Sequence, residues 1–554
     1  RDYIDRFLQI IRAHGTRAGI YAHASVGVLH VRPVVNLKTA DGVQRFESIA
    51  NAVADLVLEF GGALSGEHGD GLVRGPFIEK MFGPVLYDAF RTVKRAFDPN
   101  GLFNPGKIVD SPPLTSNLRF GAGYQTPNPR TYFDYSEFDG MGRAVEMCSG
   151  LGACRKTLDG TMCPSYMATR EEKHSTRGRA NTLRLAMAGR LGEAGLGGDD
   201  VYDVLDLCLE CRACKAECPV GVDVSRFKSE FLADYWRRNG VPLRAKAIGR
   251  IHSLSKWGSR FAPLSNVIAQ SAPARWLGER MFSVDRRRRL PSWNRETFRA
   301  RYARTNRRSS ATSSASAILF CDTFTNYNHP EVGVDAAHVL EAAGLSSQLA
   351  SHSCCGRPLI SQGLLDEARQ LAATNAESLY VPASAGLPIV FLEPSCLSAV
   401  REDAPALLRG EAQRKARVVA EASVLFEELI ERACQSLASG LQFRQGPSRV
   451  LLHGHCHQKA MGLLAPTRAL LARIPSCTVV DLDAGCCGMA GSFGYAREHY
   501  EISKQIGERR LFPAVREMKE DEVLVAPGVS CRQQVQHFTG VTAVHPATLV
   551  RSLL

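Results

Sequence analysis

The run Cys208-x2-Cys211-x2-Cys214-x3-Cys218-Pro219 restricts this chain more than any other feature. Thiols at that spacing wrap a short loop around an iron-sulfur cube, with the first three holding one cluster and the fourth, before the proline, reaching to a second. A partner half is therefore required, and Cys148, Cys154 and Cys163-Pro164 supply it upstream. A lone C-x2-C would leave a structural zinc site or a disulfide open. Four thiols with a proline-terminated partner favour clusters.

The partner half departs from the pattern at Leu151, where a third cysteine would fall. Crossed wiring gives one cluster to Cys208, Cys211, Cys214 and Cys163, and leaves the other with Cys148, Cys154 and Cys218. That second set suits a three-iron [3Fe-4S] cluster, or a [4Fe-4S] cluster whose last iron takes an oxygen or imidazole ligand; both stay open.

At 554 residues, 45% hydrophobic and 22% charged, the chain is globular and long enough for several domains. Its 17 cysteines fall in paired and clustered spacings without a secretory leader, which predicts a reducing, cytoplasmic setting where thiols bind metal. A net charge of +12 is modest for this length, so no nucleic-acid role is expected. No apolar stretch approaches the roughly 18 residues needed to span a bilayer. Membrane contact would thus be peripheral, at the inner face. The basic run Arg286 to Arg289 reads as a solvated linker, with docking on an anionic membrane as its alternative. Arg1 is not an initiator and Asp2 to His14 already has helical spacing, so the chain reads as a fragment that starts inside a domain.

The organisation is modular, a multidomain α+β and α/β chain. Residues 1–110 hold helical segments (Val43 to Phe60, Phe77 to Phe97) around the glycine-rich stretch Gly61 to Gly71. Residues 111–141 form a linker, dotted with proline and asparagine from Ser111 to Asn128. The cluster module covers 142–238, with helices expected at Glu171 to Arg190 and Ser225 to Arg238. Residues 239–315 read as a helical and basic linker, rich in Ser and Arg from Arg304 to Ser316. An internal repeat follows, at 316–410 and 447–551. The first copy carries Cys321, Cys354-Cys355-Gly356 and Cys396; the second carries Cys456, Cys486-Cys487-Gly488 and Cys531. Each opens on a strand-like run (Ala317 to Phe320; Arg449 to His453) and has another before its last cysteine (Ile389 to Leu392; Glu522 to Ala526), so each reads as a small α/β unit. Adjacent cysteines strain a cube but can bridge irons of a more open, noncubane cluster. Buried thiols without metal are the weaker alternative, because eight cysteines recur in register.

The segments His352-Ser353-Cys354-Cys355-Gly356-Arg357-Pro358 and His453-Gly454-His455-Cys456-His457-Gln458-Lys459 resemble the cysteine-rich CCG domains of heterodisulfide reductase and glycerol-3-phosphate dehydrogenase iron-sulfur subunits. That group often ends in C-x2-C, where this chain has only Cys396 and Cys531. Ala63 to Gly71 and Phe97 to Lys107 are similar to the C-terminal half of FAD-linked oxidases related to D-lactate, glycolate and D-2-hydroxyglutarate dehydrogenases. The family's front half, which carries the FAD pyrophosphate-binding domain, is not in this sequence.

The second resemblance implies FAD as cofactor and a small 2-hydroxy acid as substrate. It implies that His23, His30 and Glu67 hold zinc or another divalent ion, since His23-x6-His30 matches the family's metal-binding pair. His68 would be the general base, Arg32 would pair with the substrate carboxylate, and Asn104 and Lys107 would contact the flavin. Val26-Gly27-Val28 stands where the family usually has Asp-Gly-Asn, so polar contacts from that loop are missing. The expected activity is oxidation of D-lactate or D-2-hydroxyglutarate, with electrons passing through the clusters to a quinone or another electron carrier. The alternative is a non-catalytic iron-sulfur subunit serving a separate flavin dehydrogenase.

Overall fold

A computed structural model describes residues 1–192, 195–306, 315–351, 354–436 and 441–554, in two compact units, Arg1–Thr126 and Pro127–Leu554. In the first, helix α1 (Asp2–Ala13) sets Phe7 and Ile11 against Ile49 and Leu56 of α2 (Ala40–Glu59). Between them β1 (Ala18–His23) and β2 (Val28–Pro33) form an antiparallel hairpin, with Tyr21 opposite His30. Thr39 caps α2 by accepting from the Gly42 amide at 3.1 Å. Helix α3 (Ile78–Phe97) kinks at Gly83-Pro84 and ends at Asp98, whose carboxylate accepts from the Leu102 and Phe103 amides, each at 2.8 Å. The helices fall where the apolar spacing puts them.

The second unit opens with the cysteine module. Its core takes Leu183 from the helix Thr176–Met187, Phe227 and Phe231 from the helix Val224–Asn239, Val145 from the helix Met141–Glu146, and Phe133 and Met162 from the loops upstream. Each repeat then builds a parallel sheet. The first has order β4-β3-β5-β6, with β3 Ala317–Leu319, β4 Ser347–Leu349, β5 Ile389–Phe391 and β6 Ser423–Leu425. The second has order β8-β7-β9, with β7 Arg449–Leu452, β8 Thr478–Asp481 and β9 Glu522–Val525.

Four expectations change. The stretch 111–141 is not a bare connection, because both of its ends are packed. Lys38 of the first unit lies over the Phe120 ring at 5.0 Å. In the second unit, the buried Glu230 carboxyl accepts from the Tyr132 and Phe133 amides at 3.1 and 2.6 Å. The first repeat runs past residue 410, since β6 pairs with β5. Residues 239–315 are mostly packed structure, with helices Leu243–Gly249, Ile251–Arg260, Leu264–Gln270 and Ala272–Phe282. The run Arg286 to Arg289 is neither a solvated linker nor a membrane patch as a whole. Arg288 is buried, donating to the Gly494 carbonyl at 2.8 Å and to Ser503 at 3.0 Å. Arg287 stacks on Tyr500 at 3.5 Å and pairs with Asp285. Of the Ser/Arg-rich connection, 307–314 lies outside the described residues, as do His352 and Ser353.

A buried ionic junction fastens the cysteine module to the first repeat. Arg212 pairs with Glu402 and Asp403, and Arg357 pairs with Glu210 at 2.7 Å and Asp403 at 3.4 Å. Both Arg212 and Asp403 are fully enclosed. Removing one partner strands the other charge away from water, so Asp403→Ala is expected to cost about 3–5 kcal/mol in denaturant unfolding.

Candidate metal and electron-transfer sites

The hairpin gathers the first site. Strand alternation puts Tyr21, His23, His30 and Arg32 on one face. The glycine-rich loop crosses that face at Gly66, where a Cβ would stand 2.9 Å from Val28. Only a bare backbone comes this close, and the next residue, Glu67, is delivered to the histidines. One of its oxygens lies 2.9 Å from both His30 Nε2 and His68 Nε2, and the other lies 3.6 Å from His23 Nε2. Donor atoms around one ion at about 2.1 Å stand roughly 3–4 Å apart, so His23, His30 and Glu67 fit a divalent cation. Tyr21 stacks on His30 at 4.4 Å, and Arg32 donates to the Tyr21 hydroxyl at 2.6 Å. Asn104 sits in the left-handed region at φ 47°, and Lys107 donates to its side-chain oxygen at 3.1 Å. Their loop is tied to the end of the glycine-rich stretch by the Ile108 amide, which donates to the Gly71 carbonyl at 3.4 Å.

The cluster loops form the second site. Cys163 is an electrostatic neighbour of Cys208, Cys211 and Cys214, the grouping that crossed wiring requires. Burial pushes the Cys211 and Cys214 thiols well up, so without metal they hold their protons and a metal is needed to keep them as thiolates. Cys154 neighbours Cys163 and Cys148 and accepts from the Arg177 amide at 3.3 Å. Cys218, half-buried, closes the helix Ala213–Glu217, and Leu151 is 69% exposed.

Two arginines at these loops escape a sequence reading, because Arg in a helix reads as surface. Arg179 is fully buried, which alone would lower its pKa, but Cys163 and Cys208 outweigh that and raise it. It donates to the Cys163 sulfur at 3.2 Å and to Ser165 at 2.8 Å. Arg177 donates to the Gly150 carbonyl at 3.0 Å. A fixed cation beside a cluster favours the reduced form. Arg179→Gln is therefore expected to move that cluster's midpoint negative, on the order of 100 mV, in an EPR-monitored titration.

In the repeats the adjacent cysteines are followed by glycines with positive φ, Gly356 at 86° and Gly488 at 90°. A Cβ on Gly488 would fall 2.3 Å from the Ser503 carbonyl, so the turn demands glycine. In the second copy Cys456 touches Cys486, and Cys487 touches both Cys486 and Cys531. In the first, Cys355 touches Cys354 and Cys396. Cys321, two residues past β3, packs in the layer of Leu319 and Val339, while Cys354, Cys355 and Cys396 lie in the layer of Phe320 and Phe391. Cys211 has Cys456 as its strongest thiol neighbour, so the cluster loop abuts the second repeat.

A cavity of about 300 Å³ lies beside this path. Cys208, Cys354, Cys355, Cys396 and Cys456 line one side, and Ile248, Ile251 and Trp293 are among the apolar residues facing them.

Comparison with known proteins matches residues 1–108 to the C-terminal domain of FAD linked oxidases, 135–222 to the 4Fe-4S dicluster domain, and 319–401 and 450–536 to the cysteine-rich domain. The chain is similar to the D-2-hydroxyglutarate dehydrogenases of Pseudomonas putida, 30% identical over 99% of this chain and 57% of the relative, and of Escherichia coli, 27% identical over 100% and 57%. It is also similar to the C subunit of the anaerobic glycerol-3-phosphate dehydrogenase of Escherichia coli, 32% identical over 53% of this chain and 73% of the relative. The chain thus spans somewhat more than half the length of the D-2-hydroxyglutarate dehydrogenases it matches. The first match implies FAD, and the other two imply iron-sulfur clusters. The grouped, buried thiols and the cation at Cys163 fit such clusters.

Proposed function

The chain belongs to the family of the anaerobic glycerol-3-phosphate dehydrogenase C subunit, and from that premise we propose that it is the metal-bearing and electron-carrying part of an FAD-dependent D-2-hydroxy acid dehydrogenase. The substrate is D-2-hydroxyglutarate or D-lactate, and the electrons leave to a quinone or another one-electron carrier. What carries the reading is the convergence of His23, His30 and Glu67 in the same chain as a thiol path. With a divalent ion, those three side chains would polarise the substrate hydroxyl. His68, in contact with Glu67, is the base that takes the hydroxyl proton, and Arg32 holds the carboxylate. Asn104 and Lys107 orient the flavin. Bound FAD would supply the hydride acceptor, and clusters held by the grouped thiols would supply one-electron steps.

The cavity supports a quinone acceptor, since its lining combines apolar side chains with the thiols and with His455. Membrane contact is supported by the helix that contributes Ile251 to that lining and by the two after it, rather than by Arg286 to Arg289. The helix Ile251–Arg260 and the residue after it expose Leu254, Trp257 and Phe261, with Lys256 and Arg260 alongside, and the two helices that follow expose Val267, Trp276 and Met281. Among the described residues no helix is long and apolar enough to cross a membrane. The test is anaerobic reduction of a quinone analogue by the full-length protein with each hydroxy acid; no turnover with any 2-hydroxy acid removes the proposal.

The similarity to the glycerol-3-phosphate dehydrogenase protein favours a second reading, an electron-transfer component for a separate dehydrogenase. It predicts that the hairpin site binds neither divalent metal nor hydroxy acid.

A further inference from the structure

The two repeats superpose by hydrogen bonding, and they differ where a metal centre would form. The Phe320 amide donates to the Val390 carbonyl at 2.8 Å, and the His453 amide donates to the Val525 carbonyl at 2.9 Å, so His453 occupies the place of Phe320. The next residues agree, since Asp322 and His455 each cap the helix that follows. Cys396 and Cys531 fall equally far beyond Val390 and Val525. In this register Cys456 matches Thr323, and Cys321 matches Gly454. The copies are thus not equivalent, although their cysteine order suggests that they are.

His453 is 1% exposed, the Cys487 side chain is its polar neighbour, and neither ring nitrogen meets strict hydrogen-bond geometry. One nitrogen and the sulfurs of Cys487 and Cys531 all lie within 4.8 Å of one another. The neighbouring histidines are engaged: His457 bonds Ser398 at 2.7 Å and the Glu210 carbonyl at 3.1 Å, and His455 Nδ1 accepts from the His457 amide at 3.2 Å. A buried imidazole whose only polar neighbours are thiols costs free energy unless something binds it.

We propose that His453 is an imidazole ligand of the centre held by Cys487 and Cys531, so that the second repeat carries a mixed histidine-thiolate site and the first an all-thiolate one. The proposal rests on the reading that these cysteines bind iron. A neutral imidazole brings no negative charge to a centre, whereas a thiolate at the same place would, so a cysteine at position 453 would lower the potential.

Pulsed EPR of the anaerobically purified, reduced full chain, with and without 15N-histidine, tests this. A strongly coupled histidine nitrogen is expected in the wild type and lost in both His453→Cys and His453→Leu. The cluster-loop EPR signals should persist, which controls for folding. His453→Cys should keep its iron and titrate at a more negative potential. A histidine coupling that survives in both variants, or none in an iron-loaded wild type, overturns the assignment. A wild type without iron after reconstitution overturns the underlying cluster reading as well.

Discussion

Replacing Cys211 with serine is expected to stop electron delivery to the acceptor while leaving substrate oxidation intact. Cys211 stands between the Cys163, Cys208 and Cys214 group and Cys456, so it belongs both to the cluster set and to the junction with the second repeat. Weakening that centre interrupts the step between the two, since Cys456 is the strongest thiol neighbour of Cys211. Quinone reduction should fall by about a thousandfold or more, whereas a dye that takes electrons directly from flavin should be reduced at near wild-type rate. Stopped-flow flavin bleaching by hydroxy acid, run beside steady-state quinone reduction, separates the two. Equal loss in both assays would place Cys211 outside the path.

The second large effect is expected at Glu67. Its carboxylate is shared among His23, His30 and His68. Glu67→Gln keeps the shape but removes the charge that draws an ion to the two imidazoles. The loss should be on the order of a thousandfold in kcat/KM for the hydroxy acid, about 4 kcal/mol. Divalent metal bound to the chain should fall with it, and added metal should restore little. Electron transfer from dithionite to the clusters should not change, because those thiols lie in the other unit. Wild-type turnover in the variant, or full metal content, would refute the metal role.

The readable parts of this molecule are those that local chemistry fixes. The cluster run could be taken straight to a metal site because thiol spacing specifies loop geometry, and the helices up to Phe97 announced themselves by apolar periodicity. The repeat was visible in its cysteines, but cysteine order misled at Cys321. Cys321 lies two residues beyond a strand only three residues long, and strand ends are where single-residue register is hardest to read. The ligand-like state of His453 was out of reach for a related reason, since an unpartnered nitrogen exists only once everything around it is placed. Arg179, Arg212 and Arg288 read as solvated charge, yet all three are buried. Each is paired or hydrogen-bonded across a long sequence separation that no local pattern records. The loop from Gly61 to Gly71 lay between these extremes, with glycine marking a close approach and the structure supplying what is approached.

Iron and acid-labile sulfide analysis of the anaerobically purified chain, read with low-temperature EPR, tests the central claim most directly. Brown protein should contain several irons and sulfides per chain, with signals that appear or vanish on dithionite reduction. Colourless protein holding zinc at the cysteine sets, or no iron after anaerobic reconstitution, would contradict it.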